Sequence, residues 1–365
     1  MEAILNDIAQ KLADIAKKRE ILSGCLQETD KLFVTAFKSR TVQHNLKKLK
    51  IVGVDGGFLK KEYHGAGMIL RRAVAVCFEF EDGKLKSTEY HPGPKPIPEP
   101  IVVGPEFSES DFNQLAGLKR EELELQICIG AIEKFKPDIV IRDGSIVLYP
   151  SNMPGVNSPI YKTYESVVSL FKKLYETCEN AGVLLCGAVE DSRGKRYCKI
   201  LLDEAIPAVL DADIPDELAA KISANKDVLL NTTDTLFLYY FLGTGEKTEA
   251  VDYSKSSELP VLKDLEEFSK KIFAFYIKAV EFDRPLRIDF LSNPEKLSET
   301  ADKISSIIYT ISKQNRTYAY PSVLIEADAR AKLTEVEIAH FKAALNEKLG
   351  KNPTLFDLRR ELRPF

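Results

Sequence analysis

The sequence predicts an α/β protein, a mixed sheet with flanking helices, and three observations carry that prediction. Ile51–Phe58 (IVGVDGGF) is a short apolar strand that runs into an acid and two glycines. Met68–Glu81 and Leu85–Tyr90 are strand-like runs joined by Asp82-Gly83, a strong hairpin signal. The chain then alternates long amphipathic helices with short apolar strands, the pattern of a sheet covered by helices.

Taken in order, residues 1–49 read as helix, because Ile4, Ile8, Leu12 and Ile15 recur at helical spacing between charged residues. That stripe must pack on the sheet or on another subunit. Strand Ile51–Val54 is expected to end in a loop at Gly56–Gly67, where glycine lets the backbone turn and a ligand come close. After the hairpin, HPGPKPIPEP is a connection that can be neither helix nor central strand. Phe107–Phe135 is one long helix with Ser108 or Ser110 as its cap and an apolar face at Leu115, Leu118, Leu123, Ile127, Ala131 and Ile132. Strand Ile139–Ile141 ends in Arg142-Asp143-Gly144-Ser145, the second apolar strand to run into Asp-Gly. Helix Tyr164–Asn180 and strand Val183–Val189 follow, then the charged turn Glu190–Arg196. Residues 203–217 are acidic at irregular spacing and read as a solvated connection, Thr232–Leu242 as a helix and 243–259 as a polar loop. Phe273–Lys278 and Leu286–Leu291 are two further strands, Ser298–Lys313 is helical, and Val323–Leu349 reads as one last helix. These elements outline a helical extension over 1–45, a core over 46–335 and a C-terminal helix and tail over 336–365.

Composition narrows the function. With 44% hydrophobic and 29% charged residues the chain is an ordinary globular protein. A net charge of −4 excludes a global positive field, so nucleic-acid binding must use local patches. The six cysteines form no C-x-x-C pair and sit in apolar contexts, as buried free thiols of a reducing cytosol do. Four scattered histidines argue against a zinc site. No stretch approaches the roughly 18 apolar residues of a membrane span, and no signal peptide is evident, so the expectation is a cytoplasmic protein without membrane attachment.

The candidate chemistry lies at the strand ends. Carboxylates there, Asp55 and Asp143, suit hard divalent cations such as Mn2+ or Mg2+, and two ions roughly 4 Å apart clamp the attacking and leaving oxygens of a phosphodiester. The intervening helix offers Glu121, Glu122 and Glu124, which at 100° per residue cannot all face the sheet. Glu124 borders the buried face of Leu123, Ile127 and Ala131. Solvated helix charges are the competing explanation for each of the three. Arg193, Lys195 and Arg196 form either a phosphate-binding patch or a charged turn. Arg71 and Arg72 alternate across their strand, so one is expected to point to the site or a groove. No P-loop, G-x-G-x-x-G or G-x-S-x-G is present.

Four motifs in order, IVGVDGGF, the R-x-x-x-E of Arg120–Glu124, IVIRDGSIVL and YPSVLIEADARAKL, resemble the NurA nuclease family over about residues 45–335. GAVEDSRGKRY, NTTDTLFLYYFLGTGEKT and PLRIDFL also resemble segments of that family. The resemblance implies a ribonuclease H-like mixed sheet with flanking helices and helical N- and C-terminal extensions. It also implies a manganese-dependent nuclease that resects DNA 5′ to 3′ and cuts single strands, a homodimer, and a HerA-type hexameric translocase as partner in archaeal and some bacterial DNA end processing. By position, Asp55, Glu124 and Asp143 would be the metal-binding acids and Tyr320 the family's late tyrosine. Asp328 falls where many members have a histidine near the metal, and by position it would be a further metal-binding and catalytic acid. Two other positions depart from the family: Gly57 replaces a common serine and Glu190 a common lysine. A non-catalytic scaffold that binds the translocase or DNA ends is the alternative reading. An actin-like phosphotransferase would also explain strand-end Asp-Gly pairs, but predicts nucleotide-binding glycine motifs that the chain lacks.

Overall fold

A computed structural model describes residues 1–32, 37–41, 43–104, 106–254 and 259–350. Residues 351–365 of the expected C-terminal tail lie outside the described residues.

From the N-terminus, α1 (Glu2–Leu32) is followed by β1 (Lys38–Arg40), so the expected helix over 1–49 stops earlier than its composition suggests. β2 (Lys48–Glu62) does not end at its acid. It continues through Asp55-Gly56-Gly57, because all fifteen of its residues pair antiparallel with β3 (Gly67–Glu81), from Lys48 opposite Glu81 to Glu62 opposite Gly67. The turn is confined to residues 63–66, closed by the Tyr63 amide donating to the Ala66 carbonyl at 2.8 Å. Asp82 and Gly83 both take positive φ, 50° and 77°, which is the twist a two-residue hairpin needs before β4 (Lys84–His91). Within the Pro-rich connection lies β5 (Glu99–Val103), an edge strand on β3. α2 (Glu109–Phe135) starts at Ser108, whose hydroxyl accepts from the Asp111 amide.

β6 (Ile139–Asp143), α3 (Tyr161–Ala181) and β7 (Leu184–Val189) come where the periodicity places them. The acidic stretch 203–217 is not an open connection. It is largely helical: α4 (Arg196–Ile200) runs through a π-turn into α5 (Ile206–Leu210), and α6 (Asp216–Asn225) follows. Its apolar residues Ile206, Val209, Leu218 and Ile222 are buried, which decides the conformation against the charges. α7 (Asp234–Phe241) precedes two short strands, β8 (Glu246–Thr248) and β9 (Val251–Asp252), inside the expected polar loop. Then come α8 (Pro260–Asp264), β10 (Ile272–Ile277), β11 (Leu286–Leu291) and α9 (Leu297–Ile311). The expected last helix is two, α10 (Ser322–Ala331) and α11 (Glu335–Leu349), because Thr334 and Glu337 form a capping box that begins a new helix.

The chain divides into two compact units. One comprises Asn45–Gly187, Lys255–Lys271 and Ser322–Phe365; the other comprises Met1–His44, Ala188–Ser254 and Ile272–Pro321. In the first, the strand order is β4-β3-β2-β6-β7, with β5 on β3. β2, β3 and β4 form an antiparallel meander, and β6 joins β2 in parallel. A three-strand meander extended by a parallel strand is a ribonuclease H-like core. Helices cover both faces of β2. A Cβ on Gly53 would stand 2.9 Å from Val323, and one on Gly57 2.8 Å from the Ala331 carbonyl, both in α10; one on Gly56 would stand 2.5 Å from Glu124 in α2. The glycines of this strand therefore permit close helix approach rather than a turn, and a serine at position 57 would strike the end of α10.

In the second unit, β1-β8-β10-β11 form an antiparallel sheet with β9 beside β10. Leu22 and Leu26 of α1 pack with Tyr197, Phe237 and Phe241 in its core. The first half of α1 leaves Ile4, Leu5, Ile8 and Leu12 exposed. All six cysteines are buried. Among the described residues no helix is long and apolar enough to cross a membrane.

Candidate metal centre

β6 stops where β2 carries on, and that offset builds the site. Val54 lies opposite Arg142 in the parallel ladder, so Asp143 comes level with Asp55 at the last residue of β6. Neighbouring parallel residues share a face of the sheet, which brings the two carboxylates together. Asp55 is 5% exposed, and its Oδ1 accepts from the Gly56 amide at 2.7 Å. Burial pushes its carboxyl up, and the Asp143 and Glu124 charges and a hydrogen bond with Asp143 push it further, to about 8. Two facing carboxylates hydrogen-bond only by sharing a proton.

Glu124 reaches the same place from α2 and is 1% exposed. Its Oε2 accepts from Arg142 Nη2 at 2.8 Å. Its Oε1 lies 3.1 Å from Arg120 Nη1, an ion pair whose geometry is not that of a hydrogen bond, so among the described residues Oε1 is buried with no hydrogen-bond partner. Burial raises the Glu124 carboxyl to about 7 against the opposing pull of Arg120. Of the three helix acids, Glu124 is the one whose charge acts on Asp55. Glu121 is tied to Arg142 at 2.8 Å and to Arg120 at 3.2 Å, and Glu122 pairs with Arg71 and Lys119.

Arg142 is the residue the sequence reading passed over. It is 1% exposed, bridges Glu121 and Glu124, donates to the Ser145 carbonyl and lies over the Phe171 ring. The signal was available: an arginine inside the apolar strand IVIRD can be buried only with acidic partners. Charge counting then defines what the site lacks. Four carboxyl groups (Asp55, Glu121, Glu124, Asp143) face two guanidiniums (Arg120, Arg142), so acids outnumber bases by two in a largely buried place, and the raised Asp55 and Glu124 carboxyls hold protons where a cation would otherwise be needed. One divalent cation has the compensating charge, and the donors are the hard oxygens that Mn2+ and Mg2+ prefer. Among the described residues no three metal-ligating side chains stand already gathered; Asp55 and Asp143 form a ready pair, and Glu124 is held by its arginines.

The remaining expected residues fall elsewhere. Asp328 is exposed on α10, the helix that lies along Gly53–Gly57 on the Asp55 side of β2. Tyr320 belongs to the other unit, is 5% exposed, donates to the Ala188 carbonyl at 3.2 Å and stacks on Tyr318. Arg193 and Lys195 are exposed in that unit, and Arg196 is half-buried with Nε lacking a hydrogen-bond partner among the described residues. Glu190 is exposed there too. Arg71 pairs with Glu99 and Glu122 and donates to the Lys119 carbonyl. Arg72 is buried against Glu337 and the carbonyls of Pro96 and Lys332. Neither arginine of that pair points to the acids; both tie helices and loops to β3.

The NurA domain family matches residues 49–333. No curated protein matches the sequence. Among solved structures, the chain is similar to the NurA nuclease from Sulfolobus solfataricus, with a TM-score of 0.57 and 14% identity over 96% of this chain and 97% of that one. It is also similar to a NurA structure with a TM-score of 0.51 and 13% identity, over 97% and 99% of the two chains. A NurA bound to dAMP and manganese gives a TM-score of 0.50 and 14% identity, over 98% and 99%. At these identities the solved structures speak to the shared fold.

Proposed function

We propose that this chain, which belongs to the NurA nuclease family, hydrolyses DNA phosphodiester bonds with a divalent metal held by Asp55, Glu124 and Asp143. The observation that carries the assignment is the buried cluster in which carboxyl groups outnumber guanidiniums by two, level with the end of β6. Manganese in a similar structure supports Mn2+ as the ion. A bound divalent ion would polarise the phosphodiester and lower the pKa of the attacking water. The chain supplies the rest. Loading would release the proton that burial and the neighbouring acids keep on Asp55. Arg142 holds Glu124 in one orientation through its Oε2. Asp328, exposed on the helix beside Asp55, would contribute a further carboxylate to the metal. A second ion would arrive with the substrate, because the phosphate brings its own charge.

The finer reading follows the family resemblance: 5′-to-3′ exonuclease action on single- and double-stranded DNA and single-strand endonuclease action. It places the protein in DNA end resection as a homodimer with a HerA-type hexameric translocase. Arg193, Lys195 and Arg196 would contact backbone phosphates. The exposed apolar stripe of α1 supports a subunit contact, and a solution mass equal to that of the monomer, 41.0 kDa, would remove that part. The central test is incubation of the full chain with end-labelled single- and double-stranded DNA and Mn2+, beside Asp55→Asn and Asp143→Asn. Cleavage by wild type alone is expected. No wild-type cleavage overturns the assignment and favours the scaffold reading, whereas equal cleavage by either variant overturns the assignment of these acids as metal ligands.

A further inference from the structure

We infer that Arg120 is an internal cation that occupies the metal's place on Glu124 in the metal-free protein and must withdraw when a divalent ion binds. The inference rests on the metal site proposed above and adds a role for a residue outside the ligand set.

Four observations meet at this side chain. Arg120 Nη1 stands 3.1 Å from Glu124 Oε1, the one oxygen of that carboxylate not taken by Arg142. The same nitrogen donates, at 3.4 Å, to the carbonyl of Gly56, the residue that follows Asp55. Both Glu124 Oε1 and Arg120 Nε are buried without a hydrogen-bond partner among the described residues, so the pairing is Coulombic and poorly aligned. Such a contact neutralises charge without satisfying either group. Finally, the two arginines differ in freedom: the Arg142 side chain is 1% exposed and enclosed, whereas that of Arg120 is 24% exposed and has a way to solvent.

A guanidinium and a divalent ion compete for Glu124 Oε1, because two cations at that distance repel in a buried site. Arg120 remains tied to Glu121 through Nη2 at 3.2 Å, so it can release Glu124 while keeping one acidic partner. Arg142 keeps the other oxygen of Glu124 throughout and preserves its aim.

The test is Mn2+ affinity, measured by calorimetry and by the loss of the free-ion electron paramagnetic resonance signal, without DNA. Arg120→Gln removes the competing charge and is expected to bind Mn2+ on the order of tenfold more tightly than wild type. Arg120→Lys retains the charge and is expected to bind within about threefold of wild type. The Mn2+-induced rise in melting temperature should follow the same order, which separates the role from a structural one: a merely structural arginine would lower the melting temperature of Arg120→Gln with and without metal. Wild-type binding with equal or weaker binding by a folded Arg120→Gln overturns the inference alone. Absence of Mn2+ binding by every variant overturns it together with the metal site.

Discussion

Asp55 and Asp234 are both buried aspartates, one in each compact unit, and their surroundings differ in kind. Asp234 is fully buried and accepts three hydrogen bonds, from the amides of Tyr197 and Cys198 at 3.1 and 2.8 Å and from the Tyr276 hydroxyl at 2.8 Å. Its carboxylate occupies the N-terminus of α4 and completes that helix, a use of charge in which every donor is internal. Asp55 has the Gly56 amide and otherwise faces Asp143 and Glu124, two further acids. A buried carboxylate supplied with donors is a structural part, whereas one supplied with more carboxylates is an open demand for a cation.

The largest expected effects test that contrast directly. Asp55→Asn or Asp143→Asn should lower Mn2+-dependent DNA cleavage by about a thousandfold or more, the scale of removing a metal ligand. The metal-free Asp55→Asn protein should melt at a higher temperature than wild type. Asp234→Ala should do the reverse: it leaves three donors without their charged acceptor, costs about 3 kcal/mol or more of stability, and spares the cleavage rate per folded molecule. If Asp55→Asn destabilises as Asp234→Ala does, the distinction between the two sites fails.

Arg142→Met comes next. Breaking a buried pair strands the remaining charges, so a loss of about 3–5 kcal/mol is expected in denaturant unfolding. Replacement together with Glu121→Leu should recover part of it.

The pH dependence sharpens the comparison further. The Asp55 and Glu124 carboxyls lie well above the unfolded range, at about 8 and about 7. Between pH 4 and 8 the native state therefore binds more protons here than the unfolded state, and stability from this cluster is lost as pH rises through that window. The melting temperature of metal-free wild type, relative to Asp55→Asn, should fall over that range. Saturating Mn2+ should flatten the difference, because bound acids are already deprotonated. A difference that rises with pH would contradict the shared-proton description.

Two smaller effects bear on the departures from the family. Gly57→Ser restores the common residue but places a Cβ 2.8 Å from the Ala331 carbonyl. It should cost about 1–3 kcal/mol unless α10 shifts. Asp328→Ala, on an exposed face, should change stability by less than about 0.5 kcal/mol and slow cleavage by about tenfold, as loss of a carboxylate near the metal does.

Much of the core was legible in residue pattern because its signals are local. Asp82-Gly83 specifies its own turn, Ser108 its own cap, and the short apolar strands their own burial. Glu124 stood out among three helix acids because it borders Leu123 on the helix surface. What escaped were outcomes decided by partners distant in sequence. The glycines after Asp55 look like a turn, yet β3 pairs with every residue of β2 and keeps the backbone extended. The acidic stretch after residue 203 looks solvated, yet its few apolar residues find a core. Arg71 and Arg72 look available, yet Glu122 and Glu337 claim them. The split between α10 and α11 was readable in Thr334-x-x-Glu337, but the continuous apolar spacing on either side masked it.

The sequence by itself determined the order of the strands' motifs, the hairpin, the candidate acids and the chain's place in a nuclease family, since each depends on short-range pattern or on residue identity. Tertiary structure decided which groups meet. Only the parallel register of β2 and β6 sets Asp143 level with Asp55, and only helix packing brings Glu124, Arg120 and Arg142 into one buried place. Electrostatic coupling acts through space over a few ångströms, so the excess of acids that defines the site exists only once the chain has folded.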